Sequence, residues 1–269
     1  AAAKHGYAHA QENLGIYLRD GRGAPQDLTG AFEWFKRAAA QGLPDALFYL
    51  ADMYANGLGL SQDDAEAAKI YEFLRARGYR GAKSKLAELY TDGRGGGSAV
   101  KALEISRELA AQGDVLAQNS LAYRFITGLE IQKDVAEGAR WYRRAAEQGL
   151  ANAQLNLGRL YALGDGVVKD QKEAVHWYRK SGDQGNAEAQ NAVGAFFANR
   201  SGEPSYETEA IEWFRRAAEQ GQVDAQYELA QRYHEGVGLP KDLAEAIRWS
   251  RLAAAQGHSL AQQRLGILL

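Results

Sequence analysis

The sequence predicts an all-α protein: a solenoid of about seven and a half helix–turn–helix units of 36 residues. Three observations carry that expectation. Glycines recur at a fixed interval, an unbroken column of alanines runs in phase with them, and five tryptophans all fall at one position of the same period. The closing glycines are Gly6, Gly42, Gly78, Gly113, Gly149, Gly185, Gly221 and Gly257. They are 36 apart except for the 35 between Gly78 and Gly113, where the loop GRGGGSAV is one residue short. A constant period of this length marks stacked supersecondary units, none of which buries its apolar face alone.

Within a unit the elements follow from offsets. Four residues after each closing Gly stands Ala (Ala10, Ala46, Ala82, Ala117, Ala153, Ala189, Ala225, Ala261), eight after is aliphatic, nine after is Gly or Ala, and twelve after is mostly aromatic, as at Tyr54, Tyr90, Phe125, Tyr161, Phe197 and Tyr233. Those offsets share one face of a helix. The second half, read as AFEWFKRAAAQG or AIEWFRRAAEQG, has the same spacing and carries Trp34, Trp141, Trp177, Trp213 and Trp249; Ile70 and Ile105 take that place in the other two full units. The loop between the halves ends in Asp27, Asp63, Asp134, Asp170 or Asp242, four of them with Glu three residues on, which is the spacing of a helix N-cap. Ser98 substitutes in the shortened loop. Glu130 stands where the fourth unit lacks its second loop glycine, and the sixth unit, ANRSGEPSYETEA, lacks the first Gly and the Asp. An eighth first helix, Ser259–Leu269, ends the chain. The reading is one solenoid domain over residues 1–269, with repeats starting near 6, 42, 78, 113, 149, 185, 221 and 257.

Composition narrows the function. The net charge of −2 offers no basic face for nucleic acid, and the absence of cysteine excludes thiolate metal sites and a cysteine nucleophile. No apolar run approaches the roughly 20 residues of a membrane span, so no membrane insertion is expected.

The consensus A-x-x-x-L-G/A-x-x-Y-x-x-G-x-G-x-x-x-D-x-x-x-A-x-x-W-[FY]-x-x-A-A-x-Q-G closely resembles the Sel1-like repeat family of the tetratricopeptide-like class, over essentially the whole chain. The 36-residue period and the mid-repeat GxG favour it over the 34-residue tetratricopeptide repeat. The resemblance implies a right-handed superhelix and protein–protein recognition by a bacterial scaffold or adaptor, in assembly, secretion, signalling or host interaction. The sequence itself does not fix the compartment; a bacterial periplasmic or exported setting is slightly favoured over the cytoplasm.

Candidate chemistry is sparse, and no catalytic, cofactor or metal residues are expected. His5 and His9 have metal-pair spacing, but Gly6 and Tyr7 break the helix between them. The Gly-x-Gly loops lack the strand and third glycine of a dinucleotide fingerprint. Ser98-Ala-Val-Lys101 matches the S-x-x-K of penicillin-interacting enzymes. It supplies an alternative reading, β-lactam or peptidoglycan binding or hydrolysis at Ser98; glycan binding is a third. Asn199-Arg-Ser201 is a glycosylation sequon.

A protein or peptide partner is expected on the concave face, which by resemblance to tetratricopeptide grooves is lined by residues at offsets 6, 10 and 13. Those positions vary among units and so are free of the packing demand. They nominate Phe48, Asp52, Glu88, Asn119, Tyr123, Leu155, Arg159, Tyr227, Gln231 and His234, with Phe48, Tyr123, Leu155 and Tyr227 as anchors. Ala1–His5 reads as the last turn of a preceding helix and the C-terminus is apolar. Further repeats in a longer chain, or end-to-end association, are therefore expected.

Overall fold

The computed structural model describes residues 2–200 and 204–268, and among these every regular element is a helix. After a short 3₁₀ turn at Ala2–His5, first helices are α1 (Ala8–Asp20), α3 (Pro44–Asn56), α5 (Arg80–Thr91), α7 (Val115–Thr127), α9 (Ala151–Leu163), α11 (Ala187–Ala198), α13 (Val223–Glu235) and α15 (Ser259–Leu268). Second helices are α2 (Leu28–Ala39), α4 (Asp64–Ala76), α6 (Ala99–Ala111), α8 (Val135–Glu147), α10 (Gln171–Asp183), α12 (Pro204–Glu219) and α14 (Leu243–Ala255). Both halves of each unit are thus helices of about the expected dozen residues. The sequon's Ser201 and the loop glycine Gly202 lie outside the described residues. The helices gather into two compact units, Ala1–Leu121 and Ala122–Leu269.

The loop carboxylates start the second helices as their spacing predicts. Asp27 accepts from the Gly30 amide at 2.8 Å, Asp63 from Glu66 at 2.9 Å, Asp134 from Glu137 at 2.9 Å and Asp242 from Glu245 at 3.1 Å. Asp170 accepts from both Lys172 and Glu173. Ser98 accepts from the Lys101 amide at 3.3 Å, and the Lys101 ammonium lies 5.7 Å from the centre of the Tyr90 ring. Ser98 therefore has the capping role that its loop position predicts.

The cores explain the small column. The residue seven before each closing Gly is an aromatic ring in five units: Phe35, Tyr71, Tyr142, Tyr178 and Phe214. Phe35 and Phe214 are fully buried and Tyr71 is 1% exposed. A Cβ at Gly15 would lie 2.8 Å from the Phe35 ring, at Gly158 2.6 Å from Tyr178, and at Gly194 2.7 Å from Phe214. The helices approach closely because these rings pack against positions without a side chain.

A glutamine ladder, which the sequence reading did not identify, ties successive units together. The Gln five after a closing Gly donates Nε2 to the carbonyl eight residues earlier: Gln154 to Ala146, Gln190 to Gly182 and Gln226 to Ala218. Its Oε1 accepts from the Gln one before the next closing Gly, as in Gln184–Gln154, Gln220–Gln190 and Gln256–Gln226, at 2.8–3.0 Å. Gln11 and Gln41 repeat the pattern in the first unit. Each of these carbonyls also accepts from the amide of the closing glycine, so the glutamine supplies its second hydrogen bond, worth about 0.5–1.5 kcal/mol. Leu47 and Arg77 occupy the two ladder positions in the second repeat, and the chain of bonds is interrupted there.

Glu130 adopts φ 61°, the backbone of the glycine it replaces. Left-handed backbone costs a side-chain-bearing residue about 1–2 kcal/mol. The Glu130 carboxylate offsets this by pairing with the buried guanidinium of Arg124.

Candidate functional site

In the Ala1–Leu121 unit, the first-helix residues converge on a polar pit. Helix α3 places Phe48 and Asp52 one turn apart, and α5 places Glu88. Asp52 and Glu88 line a pit of about 70 Å³ together with Asp92, Lys85, Arg94 and, from α4, Tyr71. The Tyr71 hydroxyl is buried with no hydrogen-bond partner. Burial raises the Tyr71 ionisation far above the ordinary tyrosine range, so the phenol stays neutral. Asp52 accepts from the Asn56 amide at 3.1 Å, and Glu88 pairs with Lys85 at 3.1 Å. Phe48 is half-buried behind the pit, its ring 5.8 Å from Tyr71 and 5.3 Å from Tyr79. It backs the site rather than standing free as an anchor.

Arg94 closes one side of the pit. Its guanidinium bonds both oxygens of Asp64, at 2.6 and 3.0 Å, and the Ala55 carbonyl. These hydrogen bonds hold the Asp64 carboxyl below its usual range. The contribution of this clamp to stability is complete above the ordinary carboxylate value of about 4 and is lost as pH falls through the lower folded value. Melting temperature should therefore drop between pH 5 and pH 2.5 less steeply in Asp64→Asn than in the parent; identical slopes would remove Asp64 from the acid response. Asn119 of α7 has its Oδ1 buried without a partner.

In the Ala122–Leu269 unit, the expected residues fall into separate groups. Tyr123 is 53% exposed and available to a partner, whereas Leu155 is 6% exposed. Leu155 is packed inside its own unit, which corrects its expected role as an anchor. Arg159 pairs with Glu188 and reaches Asn156. Tyr227 accepts from Gln231 at 2.9 Å and stacks on His258, ring centres 4.6 Å apart, with Arg264 over the same ring. The Nδ1 of His234 is buried and unpartnered.

The sequence reading missed Tyr71, Asp92, Arg94 and His258. Tyr71 shares its repeat position with Phe35 and Phe214 and so reads as core. Arg94 lies in the shortened loop. His258, besides stacking on Tyr227, accepts from the Ala261 amide at 3.1 Å and so caps α15.

Helix pairs with capped loops, an aromatic ring against a glycine and an amide ladder define a protein of the helical-repeat solenoid class. Six stretches match the Sel1 repeat family: residues 8–43, 44–79, 115–150, 151–186, 187–222 and 223–258. The chain belongs to the Sel1 repeat family, whose members generally mediate protein–protein interaction. Residues 80–114, with the shortened loop and Ile105, fall outside the matched stretches. The chain is 36% identical to c5321, a protective antigen present in uropathogenic Escherichia coli strains that displays an SLR fold; the alignment covers 99% of this chain and 58% of that one, with a TM-score of 0.87. A Sel1 repeat protein from Oxalobacter formigenes is 30% identical, over 99% of this chain and 78% of its own, with a TM-score of 0.77. The chain thus spans less than two thirds of the first of these relatives. Among curated proteins there is no match.

Proposed function

We propose that the chain is a non-enzymatic scaffold that holds an extended segment of a partner protein against its first helices, with a Lys or Arg side chain of that segment seated in the pit of the Ala1–Leu121 unit. The observation that carries this reading is the excess of carboxylates in the pit: Asp52, Glu88 and Asp92 stand against Lys85 and Arg94, whose charges already pair with Glu88 and Asp64, and they line it together with the unpartnered Tyr71 hydroxyl. A cation there would gain charge-assisted hydrogen bonds. Its N–H would also give the phenol oxygen the partner it lacks. Phe48 packs on Tyr71 behind the pit. The bacterial relatives, one of them a protective antigen of a pathogen, support a role in a bacterial assembly, secretion or host-interaction pathway.

Selection of random peptides displayed on phage against the full chain tests the reading. Enriched sequences should share a basic residue, and Asp52→Lys with Glu88→Lys should weaken their binding at least tenfold while leaving the helical circular dichroism intact. Enrichment of peptides without Lys or Arg, or unchanged affinity in the double variant, would remove the pit from the binding site.

A further inference from the structure

A second surface of the Ala1–Leu121 unit lies on its second helices, away from the pit. Between α2 and α4 there is a cavity of about 680 Å³, lined by Ala39, Leu47, Ile70, Phe73, Arg77 and neighbouring apolar groups. Its origin is legible in the repeat. Three residues before the closing Gly185 stands Gly182, and the Trp213 indole packs there: a Cβ at Gly182 would meet the Trp213 ring at 3.0 Å and the Gln190 side chain at 3.2 Å. Gln190 in turn accepts from Gln220. The corresponding positions four repeats earlier are Ala39 for Gly182, Ile70 for Trp213, Leu47 for Gln190 and Arg77 for Gln220. Indole and paired amides are all absent from this one slot, and the cavity is the space they would fill.

The slot of the other tryptophan-free unit holds charged side chains. There Ile105 faces Arg75, at Ala39's position, and Lys83, at Leu47's. Both are drawn onto Glu108, at 2.6 and 3.4 Å. That slot is filled by its own ion pairs.

We propose that the cavity receives a tryptophan side chain of a partner segment, with a carboxylate beside it in the sequence. Shape follows from the units in which this chain's own indole takes the place. Charge follows from the rim. Among the described residues, the ionisable side chains of definite charge that line the cavity are Lys69 and Arg77, with no carboxylate beside them. The Arg77 guanidinium lies 3.5 Å above the Phe73 ring and its head is exposed. Phe73 is itself 44% exposed, an uncovered aromatic at the mouth. An incoming indole covers Phe73 and the Ala39–Ile70 floor, and the adjoining carboxylate meets Arg77. The proposal is independent of the acidic pit, which takes charge of the opposite sign on a different set of residues.

The test is calorimetric titration of the full chain with the peptide acetyl-Gly-Asp-Trp-Asp-Gly-amide. The parent chain should bind it, and replacing the peptide's Trp by Ala should weaken binding at least tenfold. Ile70→Trp should weaken it at least tenfold by restoring the repeat's own indole. Arg77→Glu, which reverses the charge at the rim on an exposed side chain, should weaken it at least fivefold. No saturation by millimolar peptide, or unchanged affinity in Arg77→Glu, overturns the proposal whatever Ile70→Trp does to folding. Tighter binding of free indole-3-acetate than of the peptide overturns the assignment to a protein segment.

Discussion

Phe214→Ala should destabilise the Ala122–Leu269 unit by about 3–5 kcal/mol, the range for emptying a fully buried aromatic site. Phe214 is completely buried. It lies against Gly194 with no room for a methyl group, and the Arg232 guanidinium sits 4.6 Å from its ring centre on another side. Collapse around the vacancy is restricted, because the glycine has no side chain to swing in and Arg232 is held by Glu228 and Glu207. Trp141, half-buried and partly covered by Arg144, should lose distinctly less on truncation, since the apolar area taken from water is smaller. Guanidinium denaturation followed by circular dichroism would measure both. A loss below 1 kcal/mol for Phe214→Ala, or an equal loss for Trp141→Ala, would show that the repeat is held by its tryptophans instead.

That comparison also shows where the sequence is legible. Five tryptophans in register announce the period more loudly than any other residue. In four of the five units that carry one, the neighbouring ring, which the consensus shows only as Phe or Tyr, is buried more deeply than the residue at the Trp position. The glutamine ladder was equally visible as a column, at Gln11, Gln118, Gln154, Gln190, Gln226 and Gln262, but glutamine ordinarily belongs to the surface, and nothing in one sequence says that these amides turn inward to buried carbonyls. The candidate site was half legible. Variable offsets drew attention to Asp52 and Glu88, which line one pit. The same rule also nominated Leu155, because freedom from the repeat's consensus does not imply exposure. The cavity at Ile70 was beyond this kind of reading. Ile105 carries the same substitution, and what separates the two is the residue that stands opposite, Ala39 in one case and Arg75 in the other.

Gly59→Ala should cost about 2–5 kcal/mol, while the same change at Gly23 should cost about 1 kcal/mol. Both are the second glycine of the mid-repeat loop, and both have left-handed backbone, φ 76° and 77°. At that backbone a Cβ is unfavourable by about 1–2 kcal/mol wherever it occurs. The surroundings differ. A Cβ at Gly59 would lie within 2.8 Å of the Thr29 nitrogen and closer still to the Leu28 carbonyl, at the start of α2 in the preceding repeat, whereas a Cβ at Gly23 meets nothing within 4 Å. Backbone cannot step aside as a side chain does, so Gly59 adds an overpacking penalty of about 1–3 kcal/mol. It adds displacement of the Thr29 hydroxyl, which donates to the Gly59 carbonyl at 3.3 Å. In the sequence the two glycines are equivalent. Only stacking one repeat on another separates a glycine needed for its dihedral angle from one needed also for its missing side chain. Parallel denaturation of Gly23→Ala and Gly59→Ala measures that separation; equal losses would mean that the dihedral angle alone accounts for the column.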